Sequence, residues 1–151
     1  MKLLGRNYRI TDIQCALGIS QLRKLDLFVQ QRKRLSETYN KYLSELEFLD
    51  IPTTKDYVKH AWHLYTILIK GLDRDDIFTK LRKVNIGVNV HYIPIYHFTY
   101  YKENFNFNPN DFPVTEDVFK RIISLPLFPM MISEQQNYVI DSLSKLNNKN
   151  S

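Results

Sequence analysis

Glycine is scarce in this chain. The four glycines among 151 residues are scattered, so they form neither a phosphate-binding loop nor a dinucleotide fingerprint. Cysteine is rarer still, and Cys15 alone excludes an internal disulfide. Its place in an apolar helical pattern predicts a buried thiol that packs as a small hydrophobe, in keeping with a reducing cytoplasm. No apolar run reaches the roughly 20 residues needed to cross a bilayer. The apolar opening Met1-Lys2-Leu3-Leu4 is interrupted by Gly5-Arg6-Asn7 before a signal-peptide core forms. No membrane partner is expected. Ser20, Ser36 and Ser124 lack a nucleophile-elbow context, and nothing around Cys15 resembles a thiol-enzyme signature, which removes the common hydrolase classes.

What is present is an ordinary globular balance, 44% hydrophobic and 25% charged, at a length that suits one compact domain with or without a piece of another. The net charge of +5 raises the question of a nucleic-acid partner. Its densest run, Arg32-Lys33-Arg34, is followed by Glu37 and Glu45 on the same helical stretch, as on a solvated helix face. No nucleic acid is therefore expected.

Thr11-Asp12-Ile13-Gln14 has the form of a capping box, so a helix is predicted from Asp12. Ile13, Leu17, Leu22, Leu25, Phe28, Leu35, Tyr39, Leu43 and Leu46 continue at three- and four-residue spacings, one face of a long helix or of two, with Asp26 the expected cap of the second. Pro52 ends the pattern. The β-branched and aromatic content of Trp62–Ile69 predicts a buried strand, in which Trp62 and Tyr65 belong to the core. Asp73 should cap a helix to about Val84, with Asn85-Ile86-Gly87 as the turn after it. Val88–Tyr92 alternates with a period of two, predicting a second strand stopped by Pro94. A loop then runs to a helix over Thr115–Ile123 capped by Thr115, followed by an extended Ser124–Pro129. Ser133-Glu134-Gln135-Gln136 is a further capping box opening the last helix, and Asn147–Ser151 reads as a polar tail. The order predicts an α+β fold: a helical connection over residues 1–50, a small α+β domain over 51–146 and a tail over 147–151.

Chemistry is harder to place. His60 and His63 lie in strand-like sequence that would send them to opposite faces, and His91 and His97 have no neighbouring Cys or carboxylate cluster, so no metal is expected. For substrate contact His91 and His97 stay open. Tyr96, Phe98, Tyr100, Tyr101, Phe105 and Phe107, beside Lys102, could stack bases as an RNA-binding surface does, or pack over the edge of a core. Residue chemistry alone stops at an α+β unit with an aromatic loop.

The order of longer blocks goes further. Gly5-Arg6-Asn7-Tyr8-Arg9-Ile10-Thr11-Asp12-Ile13-Gln14-Cys15-Ala16-Leu17-Gly18 resembles a long segment of the DegT/DnrJ/EryC1/StrS sugar aminotransferases. Ser20-Gln21-Leu22, Ala61-Trp62-His63-Leu64-Tyr65, Gly87-Val88-Asn89-Val90-His91-Tyr92-Ile93-Pro94 and Ser124-Leu125-Pro126-Leu127-Phe128-Pro129 resemble later blocks in the same order.

The resemblance implies the C-terminal small domain of a fold type I enzyme dependent on pyridoxal 5'-phosphate, preceded by connecting helices. Within the family, the resemblance implies an enzyme that moves an amino group from L-glutamate to C4 of a nucleotide-linked 4-keto-6-deoxy sugar, here expected to be UDP-linked, and that works as a homodimer. Its aldimine lysine precedes the block that begins at Gly5, so no catalytic residue is expected in this chain, and the chain alone is not expected to transaminate. Two sites carry over. Asn7 matches an asparagine whose amide reaches the cofactor phosphate of the neighbouring subunit. His91, Tyr92, Ile93, Pro94 and Ile95 match a segment that lines the sugar-nucleotide pocket. Arg9 is assigned a structural role.

Overall fold

A computed structural model describes residues 8–147 of the chain. Its first helix, α1, spans Asp12–Leu22 and starts as the capping box requires: Gln14 N donates to Thr11 Oγ1 at 3.3 Å, and Thr11 N to Gln14 Oε1 at 2.9 Å. No residue of α1 is buried, and Cys15 is half-buried rather than buried, because nothing among the described residues covers this helix. After Arg23-Lys24 the chain enters α2, Leu25–Leu43. Asp26 is not its cap. Lys24 occupies that position without a side-chain bond, and Asp26 lies in the first turn, where its charge complements the helix dipole.

The sheet has three antiparallel strands in the order β1-β2-β3, with β1 at Leu49–Asp50, β2 at Tyr65–Ile69 and β3 at Ile122–Leu125. Along β2, Tyr65, Ile67 and Ile69 are buried and alternate with half-buried Thr66 and Leu68. The strand starts three residues later than the sequence suggests, because Trp62 adopts φ +51°, a left-handed conformation that cannot continue a ladder. Arg32 Nη1 donates to the carbonyls of both Trp62 and His63 at 3.0 Å, fastening that turn to α2.

Helix α3, Arg74–Lys83, begins where Asp73 accepts from Asp76 N at 2.8 Å, as expected. The stretch 88–92 is not a strand. Only Asn89 pairs, exchanging both backbone bonds with Ser124, so the period-two pattern finds one partner residue and no ladder to extend. The expected loop holds a 3₁₀ turn at Ile95–His97, the short helix α4 at Thr99–Asn104 and a second turn at Pro109–Asp111. Helix α5 is Pro113–Arg121, not Thr115–Ile123: Pro113 suits the first helical position, and β-branched Ile122 and Ile123 go to β3. The last helix, α6, spans Ser133–Asn147. Its cap lies one residue earlier than expected, with Ile132 N donating to Gln135 Oε1 at 3.1 Å.

The core lies between one sheet face and α2, α3 and α6: Tyr39, Leu43, Tyr65, Ile67, Ile77, Leu81, Ile123 and Leu143 are all within 2% of complete burial. Trp62 and Tyr65 are core residues, as expected. Two polar bonds pin the helices to it. Gln136 Nε2 reaches the second lone pair of the Leu35 carbonyl at 2.7 Å, and Tyr39 Oη donates to the Pro126 carbonyl at 2.9 Å.

Candidate functional site

The segment 91–95 leaves the body of the fold by way of the turn after α3. Asn85 takes φ +61°, a conformation asparagine tolerates well, and Ile86 and Val88 are buried as anchors. Asn89 then exchanges two backbone bonds with Ser124 of β3, at 3.2 and 2.8 Å. This bridge delivers His91 to the sheet edge. Beyond it Tyr92 is 69% exposed, Ile93 48% and Ile95 58%, whereas Pro94 and Tyr96 are buried. The peptide between His91 and Tyr92 is cis.

His91 is held on both ring nitrogens. Its Nδ1 lies 2.9 Å from Ser124 Oγ and its Nε2 lies 3.2 Å from Asn89 Nδ2. Asn89 Oδ1 is engaged by the Val90 amide, so Nδ2 is the donor and Nε2 must accept. The Nδ1 proton then goes to Ser124, whose side chain is almost wholly buried. One tautomer and one ring orientation result.

Beyond the segment, Tyr96 Oη donates to Glu116 Oε1 at 2.9 Å and His97 Nε2 to the same oxygen at 2.6 Å. The His97 hydrogen bond and then the Tyr96 one hold the Glu116 carboxyl below its usual range; desolvation, followed by that carboxylate, pushes the Tyr96 phenol up. Tyr96 also stacks on Phe112 with ring centroids 4.6 Å apart. The aromatics after it use their faces on one another: Tyr101 on Phe105 at 5.8 Å and Phe105 on Phe107 at 5.5 Å. These rings pack on one another along the edge of the fold, while Tyr100 stays 64% exposed.

The five carried-over pocket residues are thus contiguous, with Tyr92, Ile93 and Ile95 presented outward. Asn7 lies outside the described residues. His60 accepts from the Trp62 amide through Nδ1 at 3.0 Å, and among the described residues no group of three or more His, Cys, Asp or Glu could hold a metal ion. A groove of about 610 Å³ between α2 and residues 54–62 shares no residue with the 91–95 segment. Sequence reasoning missed Ser124 and Glu116 as partners of this site. For Ser124 the available signal was a lone hydroxyl inside the apolar run Ile122–Leu125; for Glu116 there was only its place in a helix first turn.

A sequence profile of the DegT/DnrJ/EryC1/StrS aminotransferase family matches residues 1–144. The chain is 34% identical to the UDP-4-amino-4,6-dideoxy-N-acetyl-beta-L-altrosamine transaminase of Campylobacter jejuni, covering 93% of this chain and 38% of that protein. It superposes with a TM-score of 0.87 and 32% identity on Helicobacter pylori PseC, an aminotransferase of pseudoaminic acid biosynthesis, over 98% of this chain and 40% of that one. The pyridoxal-phosphate form of the sugar aminotransferase Spr1654 of Streptococcus pneumoniae gives 0.86 and 28%, over 93% of this chain and 36% of that one. Overall the chain spans 37–39% of the length of the curated relatives it matches.

Pyridoxal phosphate needs a lysine drawn out of water for its aldimine, together with donors for its phosphate. Every lysine among the described residues is exposed. These residues do not fit the cofactor by themselves. Among them no helix is long and apolar enough to cross a membrane.

Proposed function

The chain belongs to the DegT/DnrJ/EryC1/StrS aminotransferase family, and from that premise we propose that it supplies the sugar-facing part of a nucleotide-sugar aminotransferase. The complete enzyme, a cytoplasmic homodimer using pyridoxal phosphate, would move an amino group from L-glutamate to C4 of a UDP-linked 4-keto-6-deoxy sugar. Of the proposed connection over residues 1–50, α1 and α2 are the described helices, and α2 adds Leu35, Tyr39 and Leu43 to the core of the proposed small domain over residues 51–146. The likeness to Helicobacter pylori PseC, beside that to the Campylobacter altrosamine transaminase, favours a substrate on the way to pseudaminic acid.

The observation that carries this reading is the presentation of the 91–95 segment. Tyr92, Ile93 and Ile95 face outward from a backbone anchored by buried Val88, Pro94 and Tyr96. Large side chains left exposed on a fixed backbone suit a surface that closes over a ligand. In this role the Tyr92 ring packs on the sugar and its hydroxyl donates to a sugar oxygen. Ile93 and Ile95 exclude water from the reacting carbon, and His91, locked through Ser124 and Asn89, fixes the angle at which Tyr92 emerges. No proton transfer is assigned to this chain. Asn7 belongs to a different ligand, the cofactor phosphate of the neighbouring subunit.

The test is a pair of substitutions in the complete enzyme. Asn7→Ala removes a charge-assisted hydrogen bond worth roughly 1.5 to 3 kcal/mol, so cofactor retention should weaken by about tenfold or more while sugar binding changes less. Tyr92→Ala should raise KM for the keto sugar, or lower turnover by misplacing it, with pyridoxal phosphate still bound. Equal loss of cofactor in both variants with normal sugar binding would end the assignment.

A further inference from the structure

Two separate pins hold the ends of the exposed segment, and both come from one continuous piece of chain. At its start, His91 is bonded to Ser124 of β3. Just past its end, Tyr96 and His97 both donate to Glu116 of α5. Helix α5 ends at Arg121 and β3 begins at Ile122, so no linker separates the two anchors. The sheet fixes β3 through four paired positions with β2, and α5 packs against β2 as well. The segment therefore spans a rigid bracket.

Resting on the reading of 91–95 as the sugar-binding segment, we infer that Glu116 is a positioning residue for substrate, acting through Tyr96 and His97 on Tyr92, Ile93 and Ile95. Among the described hydrogen bonds and ion pairs, none joins Glu116 to those three. Its Oε1 gathers both donors, and its backbone is set by the bond from Glu116 N to the Phe112 carbonyl at 3.0 Å. Phe112 in turn stacks on Tyr96, so the carboxylate and the ring act on the same residue from two sides. A carboxylate accepting two hydrogen bonds fixes two side-chain orientations at once, where a surface glutamate would fix none. Removing it frees Tyr96 and His97 to reorient, and the 3₁₀ turn at Ile95–His97 that ends the segment loses its anchor. His91 still holds the other end. The exposed side chains then sample several poses, which weakens productive binding of the sugar without touching the cofactor.

The experiment uses the complete enzyme at saturating L-glutamate, with a UDP-linked 4-keto-6-deoxy hexose as the probe. E116A is expected to raise KM for the sugar by about tenfold, with kcat within about threefold and pyridoxal phosphate retained. E116Q keeps an oxygen acceptor in the same place, so it should stay within about threefold of wild type in both constants. D117A, next in sequence and paired with Arg121 on the exposed side, should leave both unchanged. Y96F and H97L each remove one donor and should raise KM by less than E116A does; they carry the test if E116A does not fold. An unchanged KM in E116A, or a KM raised equally in E116A, E116Q and D117A, overturns the inference. If wild type turns over no keto sugar, the functional reading has failed by itself. Positioning is then decided by the backbone amide resonances of Tyr92, Ile93 and Ile95: displacement in E116A that E116Q restores upholds it, and displacement confined to Tyr96, His97 and α5 overturns it.

Discussion

Nδ1 of His91 stands 2.9 Å from Oγ of Ser124, a buried hydroxyl in the apolar strand β3. This contact joins the exposed 91–95 segment to the sheet. Replacing Ser124 by valine should strand the Nδ1 proton and cost about 1 to 3 kcal/mol of stability, whereas threonine keeps the hydroxyl and should cost less. Urea titration of both variants checks it. Equal midpoints would mean the hydroxyl contributes nothing.

Alkaline stability should be governed by the tyrosine pair in the core. Tyr39 and Tyr65 have ring centroids 4.9 Å apart, and burial, joined at Tyr39 by the nearby Tyr65, pushes both phenols well above their ordinary value. A raised pKa means the folded state keeps its proton after the unfolded chain has released it. Stability should be fully present below about pH 10 and fall as the pH rises above it. Tyr65→Phe also forfeits the 2.6 Å bond to Asn40 Oδ1, so it should start less stable at neutral pH but lose less on going to pH 11. Parallel losses in wild type and variant would count against this.

Acid behaviour follows from Glu116 with the opposite sign. Its carboxyl is depressed, first by His97 and then by Tyr96, so its contribution is present above the ordinary glutamate pKa of about 4.3 and is lost as pH falls through the folded value. The stability difference between wild type and Glu116→Gln should therefore shrink on going from neutral pH to pH 3. A difference constant across that range would refute the assignment.

Arg32 should control the turn before β2. Its Nη1 bonds to the carbonyls of Trp62 and His63, where Trp62 holds a positive φ. Arg32→Met keeps the packing length but removes both bonds, at a cost of about 1.5 to 3 kcal/mol. Faster amide hydrogen exchange across residues 55–64 is expected, with Trp62 emission shifted to the red. Unchanged exchange there would show the turn to be held by ring packing instead.

The chain described here should self-associate. Ile13, Leu17, Leu22 and Leu25 along α1 and the start of α2 are each at least 50% exposed, an apolar strip without cover among the described residues. Exposed strips of this kind drive association. Light scattering at micromolar concentration should report oligomers, and Ile13→Glu combined with Leu17→Glu should shift them towards monomer. A clean wild-type monomer would contradict the expectation.

The sequence by itself determined what depends on near neighbours. The Thr11 and Asp73 caps could be read because a cap and its amide lie three residues apart, and the alternation of Tyr65, Ile67 and Ile69 because a strand's faces repeat every second residue. The long block from Gly5 to Gly18 carried the family for the same reason, as an unbroken local pattern. Tertiary structure decided whatever needed a distant partner. The alternation of 88–92 promised a strand, but whether a ladder forms depends on what faces it, and of these residues Asn89 alone finds a backbone partner, Ser124. The boundary between α5 and β3 moved for the same reason: Ile122 and Ile123 suit either element until Ile67 and Leu68 stand opposite them. Ser124 and Glu116 gained their roles from His91, 33 residues away, and from Tyr96 and His97, 20 and 19 residues away. A sequence records which side chains can donate and accept, but the fold chooses which of them meet.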